Sequence, residues 1–275
     1  MVAHVFPLTP LHNDRVDEQA FTDLIERLAA SEVGSITALG STGSYAFLTP
    51  EECDRVAGLA VEHAGSAPVF IGVGDLRTSH VLAHIDAAER AGAAGVLVPP
   101  MTYQPLTDDD VFELYRTVTE HTELPVIVYD SPGTTHYIFT GDLYARIAEL
   151  PGIASIKIPG VPTDPKEATE HVAATGLNAG CDAWYSVIGG TLPKPALTIT
   201  HAAQEGREGE AAAESERLES LWGLFAEFGG SLRVTAAIAK DLGLAPHGCS
   251  PLPIQGLTAE QRARVVRVVD ELSLA

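Results

Sequence analysis

Residues 153–160 read IASIKIPG, which puts Lys157 inside an otherwise apolar run of strand-forming residues. Burying an unpaired ammonium is expensive, so a lysine kept in such a run needs a reason. One reason is chemical. A lysine desolvated in a pocket loses basicity and becomes a neutral amine nucleophile. Such an amine forms a Schiff base with a carbonyl substrate, and the iminium is an electron sink for making or breaking C–C bonds. The alternative is a lysine paired with a carboxylate, or one that snorkels out from the strand's end.

A second residue bears on that choice. The stretch VIVYDSPGTTHYIF (126–139) ends a run of β-formers at Tyr129 and then turns. If the runs ending at Tyr129 and Lys157 are neighbouring strands, a phenol lies beside an amine. Schiff-base chemistry needs a proton carrier at the carbinolamine and at the aldehyde oxygen, and a positioned tyrosine can be one. A core aromatic with its hydroxyl at the rim is the other reading. Ser41, Thr42 and Gly43 offer hydroxyls and backbone N–H groups at a strand-to-helix turn, a cradle suited to a carboxylate. The same residues would also serve an ordinary turn that caps the next helix. Pro99 to Tyr103, including Thr102, and Gly180-Cys181-Asp182 stand at two further expected strand ends. His80 and His84 are four apart on a helical pattern, but no third metal ligand accompanies them, so no metal is expected. Asp108 to Asp110 read as a solvated helix start, and Met101 and Trp184 as pocket wall or core.

These residues need a scaffold that gathers strand ends. Short apolar runs rich in β-branched residues occur at 34–40, 68–74, 95–100, 125–130, 153–158 and 177–182, with HVFPLTP as a first strand. Amphipathic segments lie between them, at 17–31, 50–64, 77–91, 108–121, 140–149 and 164–174. Thr49-Pro50-Glu51-Glu52 places a cap, a first-turn proline and acids at the positive end of a helix, and Thr107 with three aspartates does the same. The strands are apolar on both faces, as in a parallel sheet covered by helices. Strand–helix units repeating at about 30 residues fit a doubly wound sheet or a (β/α)8 TIM barrel. No G-x-G-x-x-G follows the first strand, which weakens the dinucleotide-binding fold and favours the barrel. TLPKPALTIT (191–200) is the weakest strand, since it carries two prolines and much of it suits a helix. Residues 205–275 read as three helices without strands. The expected fold is therefore α/β, with a barrel over 1–204 and a C-terminal helical extension over 205–275. Chemistry in such a barrel sits at the C-terminal ends of the strands.

Composition narrows the partners. The chain has 275 residues, 45% hydrophobic, with a formal net charge of -20. Phosphate backbones are bound by Lys and Arg, so nucleic acid is not an expected partner. No run of about 18 apolar residues suggests a membrane helix. MVAHVFPLTP lacks the basic and apolar regions of a signal peptide. Cys53, Cys181 and Cys249 are few, odd in number and far apart, as expected of free thiols in a reducing cytoplasm.

Taken together, GSTGSYAFLTPEE, PVFIGVG, LPVIVYDSPGTT, SIKIPG and NAGCD resemble the dihydrodipicolinate synthase / N-acetylneuraminate lyase superfamily of pyruvate-dependent class I aldolases. The resemblance runs along essentially the whole chain. It implies a barrel with a C-terminal helical domain, assembled as a homo-oligomer, dimer or tetramer. It implies an imine at Lys157 with pyruvate or a related 2-oxo acid, without a separate cofactor, and an aldehyde as second substrate. Tyr129 would be the proton shuttle, Ser41 would relay protons, and Thr42 with Gly43 would hold the carboxylate. Gly180 is expected in the same pocket.

Departures from the family pattern concern the second substrate. In the synthases an Arg follows the fifth-strand Tyr and binds the second substrate's carboxylate; here that position is Thr134. A hydroxyl does not replace a bidentate guanidinium. The synthases' Tyr pair after the fourth strand corresponds to Met101 and Thr102, with Tyr103 one step later. The pattern's Glu is Ser44. These losses argue against dihydrodipicolinate synthesis and for an aldolase or lyase whose partner is hydroxylated or apolar at its distal end. Alternatives are a dehydratase of a 2-keto-3-deoxy sugar acid through the same imine, and a non-catalytic barrel that binds a 2-oxo acid. A metal-dependent barrel enzyme is disfavoured by the lack of clustered His, Asp and Glu at strand ends.

Overall fold

The computed structural model describes residues 2–158 and 172–274. Seven strands lie side by side: β1 (Val2–Val5), β2 (Ser35–Ala38), β3 (Val69–Gly72), β4 (Gly95–Val98), β5 (Val126–Tyr129), β6 (Ile153–Lys157) and β7 (Ala183–Ser186). Their spatial order is β6-β5-β4-β3-β2-β1-β7. Every pairing is parallel. Helices α1 (Glu18–Ala29), α2 (Pro50–His63), α3 (Thr78–Ala91), α4 (Asp108–His121), the short α5 (Pro132–Thr135) and α6 (Gly141–Ala148) connect them. The expected α/β barrel is present, with the helices expected at 17–31, 50–64, 77–91, 108–121 and 140–149, and its wall has seven strands among the described residues rather than eight.

Two expected strands are corrected. Residues 177–182 are not a strand. Leu177 and Asn178 end helix α7 (Val172–Asn178), Gly180 turns the chain in the left-handed region (φ 100°), and the strand is the next segment, AWYS. LNAGCD contains no β-branched or aromatic residue, whereas Trp184 and Tyr185 fit a pleated surface. TLPKPALTIT is not a strand either. Pro193 opens α8 (Pro193–Gln204) at a first-turn position, where its missing N–H is no loss. Most of the expected helix 164–174 lies outside the described residues.

The helices start as their sequences dictate. Thr49 and Glu52 close a capping box on α2, and Thr107 and Asp110 another on α4. Asp17 accepts the Ala20 N–H at 3.1 Å to cap α1. Alternation then divides the sheet residues between two cores. Val126 and Val128 face the helices, in a cluster with Phe21, Ile25, Val56, Val81 and Tyr115. Ile127 and Tyr129 face the barrel axis, with Phe6, Leu97, Phe70 and Tyr185. The axis is therefore packed, and only its C-terminal end is free for chemistry. At the other end His4 stacks on Tyr185, with ring centroids 4.8 Å apart, and bonds Ser35. Burial pushes the His4 imidazole down to about 4.

Among the described residues no backbone ladder joins β6 to β7. One side-chain bond crosses between them: Tyr185 Oη donates to Ser155 Oγ at 3.0 Å. Among the described residues the extension holds four helices, not three: α9 (Glu208–Arg217), α10 (Glu219–Glu227), α11 (Ser231–Asp241) and α12 (Ala259–Glu271). The run expected as one helix breaks at Leu218, between α9 and α10. Their core begins at Ala174 and includes Ile199 of α8, so it reaches across residue 204 into the last barrel units. No described helix is long and apolar enough to cross a membrane.

Candidate active site

Tyr129 and Lys157 are register partners at the ends of β5 and β6. The Asp130 N–H donates to the Lys157 carbonyl at 2.9 Å and carries the pairing one step further. Lys157 and Tyr129 both point to the axis, and Lys157 Nζ lies 4.5 Å from the centre of the Tyr129 ring. Phe6, at the end of β1, presents its ring 5.9 Å from the same nitrogen. Lys157 is half-buried, and among the described residues it forms no ion pair. The aromatic faces of Tyr129 and Phe6 lie against it.

Ser41 follows β2 in a turn that passes through the left-handed region at Leu39 (φ 58°) and again at Ser44 (φ 56°). That turn brings Ser41 Oγ to 3.1 Å from Tyr129 Oη, within hydrogen-bond distance. After β5 the chain winds into α5, where Ser131 Oγ donates to Thr134 Oγ1 at 3.3 Å. Burial would push the Tyr129 phenol up. The Lys157 ammonium and the hydroxyls of Ser131, Ser41 and Thr134 outweigh that and hold it below its ordinary value. Lys157, Tyr129, Ser41 and Thr134 are thus brought together. Ser131 joins them although sequence reasoning missed it; a hydroxyl two residues past the strand end was the available signal.

Thr42 and Gly43 are buried in the turn beside Ser41. A Cβ on Gly43 would stand 3.1 Å from Leu39 N and 3.2 Å from Thr9 Oγ1, so only glycine fits without displacement. Thr9, also missed from the sequence, is buried, and its hydroxyl has no hydrogen-bond partner among the described residues. An orphaned hydroxyl against a turn of N–H groups is an acceptor-seeking corner. Asp130 points the other way, toward the helices, where it accepts from Tyr144. Burial raises its carboxyl, against the hydrogen bond from Tyr144 and the charge of Lys157.

Other expected positions lie apart from this group. Thr102 gives its hydroxyl to the Gln104 carbonyl within its own turn, which takes it out of the pocket contacts. Tyr103 is 85% exposed, and Met101 packs on the main core. Gly180 is exposed at the N-terminal end of β7, opposite Lys157, because the strand it was expected to end begins after it. Lys194, whose charge the sequence offered as a cation near the pocket mouth, is exposed in the first turn of α8. Trp184 packs on the second core. His80 and His84 share Asp75, at 3.1 Å and 3.8 Å. Among the described residues no three His, Cys, Asp or Glu side chains are placed to hold a metal ion.

The model of the dihydrodipicolinate synthetase family matches residues 2–161, more than half of the chain and the segment that carries Ser41, Tyr129 and Lys157. The chain belongs to that family. The crystal structure of dihydrodipicolinate synthase from Agrobacterium tumefaciens superposes with a TM-score of 0.91 at 37% identity, covering 98% of this chain and 97% of that one. The 4-hydroxy-tetrahydrodipicolinate synthase of Hyphomonas neptunium is 36% identical over 151 residues, or 54% of this chain and 52% of the relative. The chain thus spans about half the length of the first curated relatives it matches. An uncharacterized DapA-like lyase of Halobacterium salinarum is 28% identical over 281 residues, covering 95% of this chain and 90% of the relative. Relatives in this family are thus named as synthases and lyases. The structural match spans the whole barrel, while the family model stops just beyond β6, before the segment whose strands the sequence misplaces.

Proposed function

We propose that this member of the dihydrodipicolinate synthetase family is a class I aldolase or lyase that forms an imine between Lys157 and pyruvate or a related 2-oxo acid. The observation that carries the reading is the pairing of Lys157 with Tyr129 across β5 and β6, with Ser41 on the phenol. The free amine of Lys157 attacks the ketone carbon. A C–N bond forms and the carbonyl oxygen becomes a hydroxyl. Tyr129 gives that hydroxyl a proton, water leaves, and the nitrogen lone pair closes the iminium. Tyr129, now a phenolate, takes a proton from the neighbouring methyl carbon to give an enamine, which attacks an aldehyde carbon while Tyr129 passes that proton to the new alkoxide. Hydrolysis of the imine returns the amine. The reverse order cleaves the same bond. No resident cofactor takes part.

The 2-oxo acid's carboxylate has a seat on the Thr42–Gly43 turn, where the Thr9 hydroxyl would gain an acceptor. The distal partner meets the hydroxyls of Ser131 and Thr134 rather than a guanidinium. That favours a hydroxylated or apolar aldehyde over a carboxylate-bearing one. The same hydroxyl surroundings would also suit water elimination from a 2-keto-3-deoxy sugar acid through the same imine, and product NMR separates the two.

Exchange of pyruvate methyl protons in D2O tests the enamine. Wild type exchanges them, Lys157→Ala does not while keeping its circular dichroism spectrum, and Tyr129→Phe slows exchange by about 10²-fold or more. Exchange at the wild-type rate in Lys157→Ala would remove the imine, and absence of exchange in wild type would leave a passive 2-oxo-acid binder.

A further inference from the structure

Lys157 stands just past an irregularity in its strand. Val126 pairs with Ile153, but Ile127 pairs with Ser155, so Ala154 is an extra residue on β6. Such a bulge bends its strand and re-aims the side chains that follow it. Here it turns Ser155 and Lys157, two residues apart, to the side of Ile127 and Tyr129, which is the barrel axis. A register shorter by that one residue would point Lys157 at the helices. A bulged segment is a loose mount for an amine that must approach a carbonyl carbon to within about 3–3.5 Å. The ladder to β5 holds β6 on one side. On the other side β6 has no backbone partner among the described residues, and the first residue past the bulge is held by a side chain instead. Tyr185 Oη donates to Ser155 Oγ at 3.0 Å.

Tyr185 is itself well seated. Its strand β7 is laddered to β1 from Ala183 against Val2 to Ser186 against Val5, and the Phe6 N–H donates to the Ser186 carbonyl at 3.2 Å. The Tyr185 ring stacks on His4 and meets the Phe6 ring edge-on, with centroids 6.2 Å apart. That Phe6 ring is the one that flanks Lys157 Nζ. Burial pushes the Tyr185 phenol up, against the bond to Ser155, so the hydroxyl stays a neutral donor. At this hydroxyl the firmly tied β1–β7 pair grips β6, two residues before the lysine.

We propose that Tyr185 is a positioning residue for Lys157: through Ser155 it fixes β6 just past the bulge and keeps the amine aimed along the axis. Its kinetic consequence rests on the imine proposed for Lys157, whereas its hold on β6 does not. Tyr185→Phe removes the hydroxyl and keeps the ring contacts to His4 and Phe6, and Ser155→Ala removes the other half of the same bond. Amide exchange of the 153–157 segment should rise about fivefold in each variant and no further in the double variant, because the same bond is lost in all three. The maximal rate of pyruvate proton exchange in D2O should fall about tenfold in each, while the half-saturating pyruvate concentration stays within about twofold. Borohydride should still convert every chain to the adduct, whereas a merely structural loss would lower that yield along with the rate. Amide exchange at the wild-type rate in Tyr185→Phe, losses that add up in the double variant, or an unchanged maximal rate would overturn the inference. If wild type itself forms no adduct, the imine reading fails, and amide exchange alone decides whether Tyr185 holds β6.

Discussion

Tyr129 is under opposing pressures. Burial favours its neutral phenol, while the Lys157 ammonium and three neighbouring hydroxyls favour the phenolate, and the charge and hydrogen bonds win. The phenolate therefore becomes available at lower pH than in an unperturbed tyrosine, whose value is about 10. A step that needs Tyr129 as a base should gain rate as pH rises through that depressed value. Ser41→Ala removes a hydrogen-bond donor to the phenolate, so its rate should begin to rise only at higher pH. The pH profile of pyruvate proton exchange measures this, and a profile that does not move would remove Ser41 from the relay. Lys157 and Tyr129 were legible in the sequence because each is odd in its setting: an amine in an apolar strand, and a phenol where a strand stops. Thr9 and Ser131 were not, since hydroxyls beside turns are ordinary and only their burial or their neighbours set them apart.

Elements position these groups by close backbone packing as much as by side chains. The turn Ile188–Gly190 after β7 lies on the end of β1, and a Cβ on Gly190 would fall 1.9 Å from the Phe6 carbonyl oxygen. Gly190→Ala must therefore push that turn away from Phe6, whose ring flanks Lys157. A loss of about 1–3 kcal/mol is expected, read as a lower midpoint in urea, with slower imine formation alongside. An unchanged midpoint would mean the contact is loose. Helix starts were legible almost to the residue because capping boxes are local devices. The failures came where local signals conflict. LNAGCD is apolar enough for a strand yet has no strand-forming side chain, and it continues a helix whose Ala174 and Leu177 are buried against helices distant in sequence. That burial is tertiary, so a short window of sequence does not carry it.

At the scale of the molecule, the barrel is uneven. Strands β2 to β5 are almost wholly buried and have a neighbour on each side, while β6 and β7 are mostly half-buried and each has one described backbone partner. The lysine that carries the proposed chemistry stands on one of these two edges. Amides of β6 and β7 should exchange with solvent faster than those of β2 to β5, by local opening. Hydrogen-exchange mass spectrometry reads this directly, and uniform protection around the barrel would show that the two edges are held as firmly as the rest. The parallel barrel was legible from its repeating apolar runs. The number of strands was not, because TLPKPALTIT is mostly helix, LNAGCD is the end of a helix and a turn, and the strand AWYS follows it unread.

The central claim is that Lys157 forms the imine. Borohydride reduction in the presence of pyruvate, followed by intact mass and peptide mapping, tests it most directly. The expected result is a single reduced pyruvyl adduct, carried by the peptide that contains Lys157 and absent in Lys157→Ala. An unmodified chain beside a working control, or an adduct on Lys166, Lys194 or Lys240 instead, would contradict it.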